Sequence, residues 1–175
     1  MGLSFMSSKG LTAAIIHLFN HGITKGLLFM CAGVIFLRFK ASFYKEISGL
    51  GRIMPWTSAA FLIGGLSLIG IPGTAGFISK WILVQAALEQ GSWLIALAIL
   101  LSSLIAVLYV WQVTEIMYFG SSSKKGSEIS VGPFSYITIW ILAGATIFFG
   151  LSTSFTLEYS SEAARVLLNE FSLTN

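Results

Sequence analysis

"PWTSAAFLIGGLSLIGIPGTAGFISKW", residues 55–81, holds two apolar runs separated by a proline and glycines. The first run is opened by Pro55, as suits the first turn of a helix. It would be ~24 Å long at 1.5 Å per residue, short of a ~30 Å hydrocarbon core unless its ends extend. Pro72, Gly73 and Gly76 follow in "IPGTAGF", and residues of this kind break or end a helix. Lys80 comes just past the break, before another apolar run. One unbroken helix over residues 55–88 would measure ~51 Å, too long for a single crossing. The segment therefore reads as two helical pieces, 55–70 and 73–89, counted as separate spans.

The rest of the chain extends this pattern. Of its 175 residues, 55% are hydrophobic and only 10% are charged, with a mean hydropathy of +0.86. Soluble domains carry about 25% charged residues, so a water-soluble class is excluded. Apolar stretches at about 11–37, 93–119 and 134–155 each reach the ~20 residues that a membrane span needs. The expected fold is all-α: a polytopic transmembrane bundle of about five spans, one helix broken at Pro72 and Gly73. It occupies residues 1–156, and the polar tail 157–175 can form an interfacial amphipathic helix.

The net charge of +3 comes from scattered basic residues, which suits membrane anchorage and orientation and predicts no nucleic-acid partner. Arg38, Lys40, Lys45 and Arg52, with Glu46, fall in one loop, and Lys124 and Lys125 fall in another. If residues 55–89 cross twice, these loops face opposite sides and charge gives no orientation; a single crossing would put both on one side. Cys31 is the single cysteine and reads as apolar packing, with neither a disulfide nor a metal site. The start, "MGLSFMSSKG", has no basic region ahead of an apolar core and fits neither a signal peptide nor a myristoylation site.

Polar groups inside the spans carry the functional signal. In "HLFNHGITKGLLF", residues 17–29, His17, His21 and Lys25 are four apart. Each lies ~40° around the helix from the last and ~6 Å along it. They make one polar stripe, with Asn20 and Thr24 near its edges. Lys25 is mid-span, where a lysine costs ~2.5–3.5 kcal/mol on insertion scales, so it should face a bundle interior or a hydrated cavity. Histidine exchanges protons near neutral pH, and burial disfavours the charged form of a lysine. The stripe therefore reads as a proton relay through intervening waters, against polar packing between helices as the plain alternative. A haem or metal would need ligands from other helices.

Lys80 sits beside the break, where exposed backbone groups form midplane sites in transporters; a lysine snorkelling to the interface is its plain alternative. Glu115 lies five residues before Gly120 and reads equally as relay member or interface carboxylate, whereas Glu89 reads as a loop carboxylate. No phosphate-binding loop, zinc-ligand helix or nucleophile elbow occurs, so no cofactor and no catalytic chemistry of its own is expected.

"HLFNHGITKGLLFMCAG" and "ISGLGRIMPWTSAAFLIGGLSLIGIPGTAGFISKW" resemble the D-type component of Mrp-type multi-subunit cation/proton antiporters. They are similar, more distantly, to antiporter-like proton-pumping subunits of respiratory complex I and membrane-bound hydrogenases. The resemblance covers roughly residues 11–120. It implies a fourteen-helix fold of two inverted repeats, with this chain matching the last five helices. His17, His21 and Lys25 then match a polar stripe on a central hydrophilic axis. Lys80 matches the charged position of the second broken helix, where proton access to one side is assigned.

The first repeat has no counterpart, so a half-subunit is expected, partnered by an N-terminal half and other subunits of a complex in the inner cell membrane. The implied function is proton translocation, with Na+ or another monovalent cation as possible counter-ion. One alternative is the pump subunit of an NADH:quinone oxidoreductase-like or hydrogenase complex, and another is a structural subunit without transport.

Overall fold

The computed structural model describes residues 7–39, 47–121 and 132–173, with side chains to 169. The described residues are helical with short connections: α1 Ser8–Phe39, α2 Leu50–Ile53, α3 Pro55–Ile69, α4 Ala75–Glu89, α5 Trp93–Phe119, α6 Pro133–Leu151 and α7 Thr153–Leu173. Lys40, Lys45 and Glu46 of the first polar loop, Lys124 and Lys125 of the second, and the first six residues lie outside the described set. The fold is an all-helical membrane bundle. α1, α5 and α6 are each long and apolar enough to cross a membrane, and α3 is a shorter apolar helix.

α1 is the axis on which the other helices pack. Its 32 residues make a rod ~48 Å long. Moving along it, Ala13 and Ile16 meet Ile82 of α4, His17 meets Ser79 and Asn20 meets Ala75. Thr24 then meets Ser67 of α3, and Leu27 and Leu28 lie against Gly64. The partner numbers fall steadily as the α1 numbers rise. α3 and α4 therefore lie end to end, antiparallel to α1, and the sequence break falls beside the middle of α1.

α5 repeats this register on another side. Ala96 packs with Ala86 and Ala87, Ser103 meets Lys80, Val110 meets Gly65 and Met117 meets Leu50. α6 runs from a cluster of Ile139 and Ala143 with Leu27, Cys31, Met54 and Ala60 to Gly150 at the break. After Ser152 the chain continues as α7, whose Leu157 joins Ala13, Ile16 and Ile82.

The break has a physical cause at each residue. α3 ends at Gly70, whose φ of 92° is left-handed backbone that side chains resist. The Ile71 amide bonds the Leu66 carbonyl at 3.1 Å, closing the α3 terminus. Pro72 is exposed, Gly73 again has positive φ, and α4 starts after Thr74. Gly76 brings the new helix against the old one: a Cβ there would lie 1.9 Å from the Ser67 carbonyl oxygen. Two further contacts hold the junction. The Ser67 hydroxyl accepts from the Gly76 amide at 3.1 Å. Gly150 of α6 packs so tightly that a Cβ would come within 2.5 Å of the Gly73 carbonyl.

The ends of α1 and α5 and the starts of α3 and α6 all lie at one end of the bundle. There the Gly49 amide donates to the Ile116 carbonyl and Ser48 donates to the Ser121 carbonyl. Arg38 in the last turn of α1 and Arg52 in α2 are the described basic residues at this end. At the opposite end Lys9 of α1 forms an ion pair with Glu89 of α4. Much of the bundle surface is apolar: Leu104, Leu108 and Trp111 of α5 and Phe134 and Ile141 of α6 are exposed.

Candidate functional site

A cavity of about 330 Å³ lies between α1, the α3–α4 break and α5. Its polar lining is His17, His21 and Thr24 from α1, Ser67 from α3, Ser79 and Lys80 from α4, and Ser102 and Tyr109 from α5. A water molecule takes ~30 Å³ of liquid volume, so the cavity has room for several.

Lys80 is half-buried, and its ammonium donates to the Leu68 carbonyl at 2.8 Å, the Ile69 carbonyl at 3.0 Å and the Ser103 hydroxyl at 2.8 Å. The two carbonyls belong to the last turn of α3 and have no partner within that helix. They also form the negative end of its dipole, which attracts a cation. All three ammonium protons are therefore used. Lys80 is held by the broken helix.

The two histidines stack, with ring centroids 5.2 Å apart and planes inclined by 23°. His17 Nδ1 lies 3.0 Å from the Ser79 hydroxyl, which in turn donates to the Gly76 carbonyl at 3.3 Å. Thr24 and Ser67 share a hydrogen bond of 2.9 Å between buried hydroxyls. Asn20, fully buried, donates to the Ala75 carbonyl at 2.7 Å. A polar seam thus runs along α1 from His17 to Thr24, past the start of α4 to the end of α3, inside an apolar bundle.

Of the residues singled out from the sequence, His17, His21 and Lys80 come together in the cavity. Gly76 lines it too, whereas Pro72 and Gly73 shape the turn just outside it. Lys25 stands apart. It is exposed, with its ammonium 5.7 Å from the centroid of the Phe29 ring. Glu115 is exposed on the last turns of α5, away from the cavity.

Ser67, Ser79, Ser102 and Ser103 are functional candidates that sequence reasoning passed over, and Thr24 stands there only at the edge of the stripe. Their only signal was a hydroxyl in an otherwise apolar helix, which commonly serves helix packing. Among the described residues no group of three or more histidine, cysteine or acidic side chains could hold a metal ion.

A broken helix antiparallel to a histidine-bearing one, with a lysine on the freed carbonyls, is the arrangement to compare with known proteins. The NADH:quinone oxidoreductase/Mrp antiporter transmembrane family matches residues 1–106. The chain belongs to this family. It is 34% identical over 128 residues to the N-type component of NADH-quinone oxidoreductase from Desulforudis audaxviator, covering 73% of this chain and 26% of that protein. It is 31% identical over 171 residues to the D-type component of the Na(+)/H(+) antiporter from Bacillus subtilis, covering 96% of this chain and 34% of that protein.

A chain in the structure of the Mrp complex from Dietzia superposes with a TM-score of 0.87 at 25% identity, covering 97% of this chain and 40% of that one. The chain thus spans about a third of the length of the relatives that it matches. It is an antiporter-like, membrane-embedded member of this family.

Proposed function

We propose that this chain carries protons across the membrane as one half of an antiporter-like subunit within a multi-subunit cation/proton antiporter. The supporting observation is the cavity itself: His17, His21 and Lys80 share one space, near the middle of the bundle, with the hydroxyls of Thr24, Ser67, Ser79, Ser102 and Tyr109 among apolar side chains. Each of the three can bind and release a proton, and several waters between them would close the gaps that direct hydrogen bonds leave.

The Lys80 site suits both protonation states. As ammonium, Lys80 donates three hydrogen bonds. As neutral amine it has a lone pair, and the Ser103 hydroxyl can turn to donate to it. Change of charge at one group then alters the proton affinity of the next, because the low dielectric of the interior strengthens their interaction.

Lys25 belongs to the proposed pathway at its outer side. An exposed lysine midway along a membrane helix needs a polar neighbour or water, and the proposed neighbour is the N-terminal half of the subunit. The test is proton flux in membrane vesicles containing the assembled complex. His17→Gln keeps hydrogen-bonding capacity but does not titrate, and flux is expected to drop at least ~100-fold, the lower range for loss of a proton-transfer group. Wild-type flux in the assembled variant overturns the relay.

The 34% identity to a component of NADH-quinone oxidoreductase favours one other reading, a pump driven by redox chemistry in neighbouring subunits. Iron–sulfur proteins beside this chain, in place of small antiporter subunits, would mark that branch; the cavity would do the same work in either.

A further inference from the structure

We infer that Ser79 is a positioning residue that fixes His17 in the tautomer with hydrogen on Nδ1, leaving Nε2 as the proton-accepting atom. This rests on the relay reading above for its consequence, but the geometry stands apart from it. Ser79 is fully buried, and its Oγ has two neighbours within hydrogen-bond distance. One is the Gly76 carbonyl, 3.3 Å away in the preceding turn, which can only accept. With the serine proton on that carbonyl, the oxygen presents a lone pair to its other neighbour. That neighbour is His17 Nδ1 at 3.0 Å, which then carries the hydrogen.

A neutral imidazole has one N–H and one lone pair, and the bond made by one nitrogen decides the state of the other. Nε2 is thus unprotonated in neutral His17. His17 lines the cavity, and its ring is stacked on His21 at 5.2 Å. Rotation of the ring is resisted on one side by that stack and on the other by the serine bond. A proton arriving through the cavity meets a base already turned to receive it. No rearrangement has to precede transfer.

The same oxygen also ties His17 to the break. Ser79 belongs to the second turn of α4, and Gly76, its acceptor, is the residue whose amide bonds Ser67. A shift of α4 relative to α3 would move the hydroxyl that holds the histidine. The proton-accepting atom is therefore set by the broken helix, not by α1, on which His17 is carried.

The experiment uses the assembled complex with 15N-labelled histidine, reading the His17 ring nitrogens by solid-state NMR after assignment with His17→Gln. Expected is a protonated Nδ1 and an unprotonated Nε2 in neutral His17. Ser79→Ala should shift the population toward the Nε2–H tautomer and lower proton flux by roughly tenfold, the scale on which orienting partners act. Ser79→Thr, which keeps the hydroxyl, should restore both; Ser79→Cys, a weaker donor of similar size, serves if threonine prevents assembly.

An Nε2–H tautomer in the wild-type complex overturns the inference and leaves the relay untouched. An unchanged flux in Ser79→Ala, despite a switched tautomer, overturns the positioning role. Failure of the relay itself is a different result: wild-type flux in His17→Gln.

Discussion

Gly76→Ala is expected to prevent the protein from accumulating in the membrane, although it adds one methyl group. That methyl carbon would stand 1.9 Å from the Ser67 carbonyl oxygen and 3.1 Å from its hydroxyl. A flexible side chain could turn aside, but a backbone carbonyl cannot without moving the end of α3. Moving it disturbs the Ser67 bonds to the Gly76 amide and to Thr24, and the Leu68 and Ile69 carbonyls that hold Lys80.

Overpacking of a well-packed core costs about 1–3 kcal/mol when side chains can adjust, and here the obstacle is backbone. Alanine favours a helix over glycine by about 1 kcal/mol, too little to offset the clash. Gly144→Ala is the control, because a Cβ there meets nothing within 4 Å. Quantifying assembled complex in membranes tests the pair: Gly144→Ala should match wild type and Gly76→Ala should be nearly absent. Equal amounts of both would mean that the α3–α4 junction is looser than these contacts require.

Lys80→Met should abolish proton flux, to below ~1% of wild type if proton transfer through this group is obligatory, while the complex still assembles. Methionine fills much the same volume without charge. The lost hydrogen bonds leave the Leu68 and Ile69 carbonyls without their lysine donor, at a cost of about 1–3 kcal/mol for a group left wholly unsatisfied. Removing a cation from an apolar bundle works in the other direction.

Lys80→Arg separates charge from proton release. Arginine keeps the positive charge and can still bond carbonyls, but it does not deprotonate in proteins. Flux should be lost in both variants. Flux retained by Lys80→Arg would assign Lys80 a purely electrostatic part, and flux retained by Lys80→Met would remove it from the pathway.

The helical stripe of α1 shows how far the sequence could be read. Four-residue steps advance 40° each, so the stripe winds around the helix. His17 lies at the edge of the buried face, His21 is farther round, and Lys25 is ~80° from His17 and exposed. Thr24, seven residues on, returns to within ~20° of His17 and is buried against Ser67. Spacing identified the polar stripe, but which side of it faces α4 depends on Ala13, Ile16 and Leu27, which bury the neighbouring arc.

The interruption was equally legible in Pro72, Gly73 and Gly76. That its two pieces lie end to end was not, because neither length nor composition reports direction. Only the falling register against α1, from Ser79 to Ala75 to Ser67, gives it. The serines were illegible for a different reason. Ser79 and Ser103 look like ordinary packing residues until a histidine and a lysine are placed against them.

The central claim is that protons move through the cavity beside the break. Ser102 is exposed and lines that cavity, and the chain has one other thiol, Cys31, which is buried. A complex carrying Ser102→Cys should react with a water-soluble methanethiosulfonate. Proton flux should fall to the background of empty vesicles and return when the adduct is reduced, with the wild-type complex unaffected throughout. Full labelling with flux unchanged, or no reaction at all, would contradict a hydrated proton route at this place.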